Sequence, residues 1–427
     1  MHVNYNNGLY KYQKLLLLLL PISLIFSIFV ADLIVVILCL FFLYTVILKK
    51  KFQYFNNLYF KVFFGYWIYI NLLSLFSNDL ITSFKSSFPY IRFILLPLAI
   101  YYIIQDDKKF SKYFFVTLVF LISALLLDSS YEFINGENLF RYEKSFLEKG
   151  RLSSFFQGEF ILGTYITKFF FIIAALWFSI FDKNFKSNSI FIIFFAYSLL
   201  IVFLSGDRMP LLLFLMGSFI FLILSNLKFR FKIIFLFSII ILFSTSIILN
   251  QNLYDRLIKR TLWEIGVPSL TVNPYIVTID SDKKVKFLAQ HQNFLYVSIN
   301  MIKDKPIFGH SNKGYKISCE NYRLDHSSCP SHPHNTYLQL LVENGFFGFI
   351  FFFSIFILIT YILFRQLLAV FNKKNFLTDS QLCILICIYI NLWPIAQTGN
   401  FFNNWTSIMY YLPVGFLIKE FNLIKHN

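Results

Sequence analysis

The sequence predicts an all-α polytopic membrane protein with about twelve transmembrane helices and one large loop on the outer side. Three observations carry this. Of 427 residues, 57% are hydrophobic, only 14% are charged and 58 are phenylalanine, which lies outside the range of soluble domains. Apolar runs of spanning length recur along the chain, among them Leu15 to Val30, Leu33 to Leu48, Ile233 to Leu249 and Phe346 to Phe364. Others start near Tyr59, Ser87, Tyr113, Ile161, Ser189, Met209, Gln381 and Ser407. Hydrocarbon offers backbone groups no hydrogen-bond partner, so each run is expected to be a helix. The third observation is the placing of basic residues. With the N-terminus inside, the inner loops gather Lys11, Lys14, Lys49 to Lys51, Lys108, Lys109, Lys112, Lys183, Lys186, Lys228, Arg230, Lys232, Arg365, Lys373, Lys374, Lys419 and Lys425. The short outer turns keep only Lys85 and Arg208, and both termini fall inside.

The net charge of +16 is therefore a topology signal, and membrane lipids rather than nucleic acid are the expected surroundings. The first run follows Lys11 and Lys14 like the core of a signal peptide, but no small-residue cleavage site follows, so it is expected to remain as a helix. Residues 1–188 form N-terminal transmembrane helices with a first outer loop at about 128–160. Residues 189–364 form a core that includes the large outer loop, about 250–334, and residues 365–427 form C-terminal helices.

Inside the large loop, "NQNLYDRLIKRTLWEIG" predicts a short amphipathic surface helix and "YIVTIDSDKKVKF" a β-prone patch. The segment "HQNFLYVSINMIKDKPIFGHSNKGY" predicts a helix that stops near Pro306, then a turn from Gly309 to Gly314. Cys319 and Cys329 share this loop, whereas Cys39, Cys383 and Cys387 lie in apolar spans. In an oxidising compartment the loop pair is expected to form a disulfide, and its spacing is wider than that of a usual metal pair.

Chemistry-bearing residues collect on the outer side. In "CPSHPHNTYLQLLVENGFFGFIFFF", residues 329–353, two histidines and an amide lead into a span. With Asn335 or Thr336 as N-cap, the positive helix end faces His334 and disfavours imidazolium, which suits a general base; interfacial capping is the bland alternative. Gly345 and Gly348 permit close backbone approach. Arg208, in "LSGDRMPLLLFLMG", occupies a tight outer turn beside Asp207, with Pro210 suited to the first turn of the next helix. It serves either as an interfacial anchor or as a planar fork for phosphate. Arg92 and Lys168 lie within spans, where a charge neutralises either a lipid phosphate or a partner side chain. Arg151 and Glu159 frame the return of the chain to the membrane in "RLSSFFQGEFILG". His291, Arg256 and Arg260 belong to a modestly basic outer face that attracts anions, and "PIFGHSNKGY" offers a backbone anion nest of weak specificity. There is no Walker loop and no strand-borne G-x-G-x-x-G, so no nucleotide is called for, and no metal or other cofactor is expected.

"HNTYLQLLVENGFFG" resembles the signature of the bacterial O-antigen ligase and O-antigen polymerase superfamily, a histidine followed by Asn, Ser or Gln, nine residues, then G-x-x-G. His334, Asn335, Gly345 and Gly348 fill its places. The resemblance extends to "DRMPLLLFLMG", "PIFGHSNKGY" and "PIAQTGNFFNNW". It implies a membrane-embedded glycosyltransferase of the bacterial inner membrane, working on the periplasmic face. Such an enzyme passes a saccharide from undecaprenyl diphosphate to an acceptor hydroxyl, lipid A-core for a ligase or another repeat unit for a polymerase. Carried onto this chain, His334 is the base and Arg208 binds the donor diphosphate. His291, Arg256 and Arg260 are candidates for the family's second, loop-borne arginine, and Asn335 is taken as substrate-binding; Arg151 and Glu159, by their place at the chain's re-entry rather than by the resemblance, either close the rim of the substrate site or merely cap the span. Ligases often place two threonines after the second glycine, whereas Phe349 and Ile350 stand here, which leans toward the polymerase. A lipid-linked sugar flippase is the reading from another class, and it predicts charges spread through many spans together with internal pseudo-symmetry.

Overall fold

The computed structural model describes residues 5–105, 107–141, 151–182, 184–249, 251–259, 261–262, 292–322 and 329–424. Among the described residues every regular element is helical. His291, Arg260 and the β-prone stretch 275–287 lie outside them.

Among the described residues, seven helical stretches are long and apolar enough to cross a membrane: Gly8–Phe26, Ile28–Leu48, Leu80–Ile104, Lys108–Asn135, Leu162–Ile180, Phe185–Leu204 and Thr336–Phe371. The protein is a multi-pass membrane protein. Four further apolar runs expected to span form shorter helices. Leu58–Ser74, Arg208–Leu224 and Asn404–Glu420 have 17 residues each, and Asp379–Asn391 has 13. At 1.5 Å per residue a 17-residue helix reaches about 26 Å, short of a hydrocarbon core of about 30 Å. Helix starts follow local chemistry. Ser27, Asn57, Asp79, Asn184 and Asn335 each accept a hydrogen bond from a backbone N–H in the first turn they cap, and Thr378 forms a reciprocal capping box with Gln381.

The chain divides into two compact units. The first comprises Met1–Phe120, Phe171–Ile180 and Tyr296–Asn427; the second comprises Leu121–Phe170 and Phe181–Leu295. At the centre of the first unit the helix Ile91–Ile104 is buried from Phe93 to Ile104 and packs against Asn404–Glu420. Arg92 meets a protein partner rather than a lipid phosphate. Its Nε donates to Asp32 Oδ1 at 2.7 Å, and its two Nη groups donate to Pro89 O at 2.6 Å and Asn404 Oδ1 at 3.1 Å. Removing only one member strands a largely buried charge. Arg92→Met is therefore expected to destabilise the protein by about 3–5 kcal/mol, and adding Asp32→Leu to recover most of that loss. Thermal midpoints in detergent measure both, and equal midpoints for wild type and Arg92→Met would show the pair to be dispensable.

In the second unit two buried acids close the helix Lys108–Asn135. Glu132 accepts from the backbone N–H of Ser153 at 3.1 Å and of Ser154 at 2.6 Å. Asp128 accepts from the Leu139 N–H at 2.9 Å and from the Ser154 hydroxyl. These bonds satisfy backbone donors that would otherwise be unpaired, and they fix the stretch that begins at Arg151.

Candidate active site

In the first unit, His334 stands just outside the helix Thr336–Phe371, at φ +58°, a left-handed conformation that non-glycine residues seldom adopt. Two neighbours hold it there. The backbone N–H of Thr398 donates to the His334 carbonyl at 3.0 Å. Asn335 caps the helix through Oδ1, which accepts the Leu338 N–H at 2.9 Å, while its Nδ2 donates to Pro394 O at 2.7 Å and Ala396 O at 3.2 Å. Both ends of that amide are thus engaged by the protein. One turn on, the Thr336 hydroxyl meets the Thr398 hydroxyl at 2.9 Å and Tyr410 at 3.1 Å. Gln339 then donates to Asn400 Oδ1 at 3.0 Å and accepts the Phe401 N–H at 2.9 Å. The "PIAQTGNFF" loop is in this way laced to the first turns of the helix that follows the histidine.

The other side of this helix is held by backbone. Gly345 breaks the helix at φ +64°, ψ −164°. The Phe346 N–H donates to Pro306 O at 3.0 Å and the His310 N–H to Val342 O at 2.8 Å, so the "PIFGH" turn lies directly on the "VENGF" break. The helix before that turn, Gln292–Asp304, ends where Pro306 predicts. The turn's supposed anion nest is occupied from within. Glu343 is fully buried, receives Gln339 Nε2 at 3.0 Å, and faces the backbone amides of Lys313 and Tyr315. Ser311 accepts from Ser83 at 3.0 Å and Asn312 from Asn344 at 2.8 Å. Cys319 and Cys329 are joined by a disulfide with Cα atoms 6.0 Å apart. Cys319 belongs to a small core with Val297, Met301, Tyr315 and Val342, which anchors the strand of chain leading to the histidines.

In the second unit three arginines gather around the turn 206–208. Arg208 opens the helix Arg208–Leu224, and its Nη1 lies 3.5 Å from the Thr261 hydroxyl. Arg256, in a π turn at Asp255–Lys259, donates Nε to Gly206 O at 2.9 Å. Arg151 donates to Phe160 O at 3.0 Å and to the carboxylate of Asp207. Asp207, although adjacent to Arg208 in sequence, directs a carboxylate oxygen to Arg151. Burial raises the Asp207 carboxyl above its ordinary range, and the Arg151 and Arg256 charges oppose that rise. Gly163 admits the turn: a Cβ there would stand 2.7 Å from Ser205 Oγ and 3.3 Å from Asp207 Oδ2. Glu159 is exposed in the turn before the helix Leu162–Ile180.

His334, Asn335, Gly345 and Gly348, which fill the signature quoted above, thus lie at the start and the break of one helix. Residues 193–353 match the family model described as O-antigen ligase. Over that stretch, a little over a third of the chain, the protein is similar to the O-antigen ligase and polymerase superfamily. The O-antigen ligase match contains Arg208, Arg256, His334, Asn335, Gly345 and Gly348; Arg151 and the "PIAQTGNFF" loop lie outside it. The family so matched implies chemistry of the ligase or polymerase type. A search of curated proteins finds no match.

Sequence reasoning missed Glu343, Thr398 and the Asp207 to Arg151 contact. A lone carboxylate inside an apolar helix was the available signal for Glu343. Thr398 carries none, because its contribution is mainly a backbone N–H.

Proposed function

We propose that this O-antigen ligase homologue transfers a saccharide from undecaprenyl diphosphate to the hydroxyl of an acceptor such as lipid A-core, on the periplasmic face of the bacterial inner membrane. His334 takes the proton of the acceptor hydroxyl as the hydroxyl oxygen bonds to the anomeric carbon. The bond from that carbon to the diphosphate breaks, and the diphosphate departs with the electron pair. Arg208 and Arg256 offset the charge that develops on the leaving group, so the step needs no divalent metal. Arg151 acts from behind, through Asp207. His291 and Arg260 remain proposed donor contacts in the loop. Asn335 holds the histidine rather than the substrate.

The observation that supports this reading best is the left-handed clamp on His334, since a helix cap alone requires no such conformation from the residue before it. Purified protein in proteoliposomes, given undecaprenyl diphosphate glycan and lipid A-core, is expected to yield capped lipid A-core in the presence of EDTA. A rate that falls to background with EDTA and returns with Mg²⁺ would remove the metal-free route. Phe349 and Ile350 favour a second reading, repeat-unit polymerase. It predicts a ladder of lengthening lipid-linked glycan without added lipid A-core. Movement of the donor across the vesicle with no new glycosidic bond would instead indicate a flippase.

A further inference from the structure

Two residues before the proposed base, His332 lies with its ring centroid 4.3 Å from that of His334, the planes inclined by 51°. The Ser331 hydroxyl meets His332 Nδ1 at 2.9 Å. The chain around it is fixed on both sides, by the Cys319–Cys329 disulfide behind and by Thr398 on the His334 carbonyl ahead. The charged and titratable groups that face His332 are His334 and Lys313, and the Thr398 backbone lies against its ring. An imidazole pinned in this way against the proposed base is more than an interfacial cap.

We propose that His332 is a positioning residue for His334, its ring orienting the His334 imidazole and stacking against the positive charge that ring acquires on taking the acceptor's proton. A neutral aromatic face stabilises an adjacent cation, and here the contact strengthens as the proton is transferred. The stack requires an uncharged His332. Burial, the His334 charge and Lys313 hold the His332 pKa down at about 4, below its ordinary 6.5, with the Thr398 backbone opposing. Lowering pH through about 4 protonates it in the folded protein and sets a cation against the base.

The inference rests on His334 as the base, and four variants separate the two. His332→Phe keeps an uncharged aromatic face and is expected to retain kcat within about threefold. His332→Ala loses the stack and is expected to lower kcat by roughly ten- to a hundredfold with KM for the donor glycan unchanged. His332→Lys is expected to be slower than His332→Ala, because it places a permanent cation at the ring. The acid limb of the wild-type rate profile should gain a second proton near pH 4 that His332→Phe lacks. A wild-type rate for His332→Ala, or His332→Phe no better than His332→Ala at matched thermal midpoints, overturns the inference while leaving the base intact. A wild-type rate for folded His334→Asn removes the base, and the inference with it.

Discussion

Replacing His334 with asparagine is expected to leave the protein folded and to lower transfer by roughly 10²- to 10⁴-fold, the usual worth of a positioned general base. Asparagine is the informative choice. The position requires φ +58°, and asparagine enters the left-handed region more readily than most side chains, whereas alanine there costs about 1–2 kcal/mol. The bond that fixes the residue runs from the Thr398 N–H to its carbonyl and survives the exchange. What disappears is the ring nitrogen proposed to take the acceptor's proton. Turnover of lipid-linked glycan by the purified variant, set beside its thermal midpoint in detergent, reads the two effects separately. A folded His334→Asn protein that works within threefold of wild type would exclude His334 as the base.

The residues that were legible in the sequence are those whose role is local. The helix start at Asn335, the stop before Pro306 and the close backbone approach at Gly345 follow from capping preference, a missing N–H and a missing Cβ. The membrane class followed from composition, but the number of full-length spans did not. Apolar runs near Tyr59, Met209, Gln381 and Ser407 fold as helices of 17 residues or fewer, and an apolar run by itself does not say where its helix will be capped. Illegible were the partners set by tertiary contact. Asp207 adjoins Arg208 in sequence yet turns to Arg151, and Glu343, which reads as an expensive charge in a span, is held by Gln339. The carbonyls and amides of the loop at 394–401 hold Asn335, Gln339 and His334, contacts that no local pattern announces.

Gly345→Ala should be among the most damaging single changes in the first unit, although it adds one methyl group. A backbone at φ +64°, ψ −164° is close to glycine-only territory, which alone costs about 1–3 kcal/mol for another residue. The added carbon would also stand 2.2 Å from Ile307 O and 2.6 Å from Phe308 N, both backbone atoms with no rotamer through which to retreat. Gly309 is the reciprocal surface, since a Cβ there would lie 2.6 Å from Gly345 N. The two segments would have to separate, breaking the bonds from Phe346 N to Pro306 O and from His310 N to Val342 O. The helix that starts at Asn335 would lose its outer support, so transfer should fall together with the thermal midpoint. Gly65→Ala is the matched control: it lies in the interior of the helix Leu58–Ser74, a Cβ there meets nothing within 4 Å, and its midpoint should be unchanged or raised. Equal midpoints for Gly345→Ala and Gly65→Ala would mean that the backbone contact does not support the histidine.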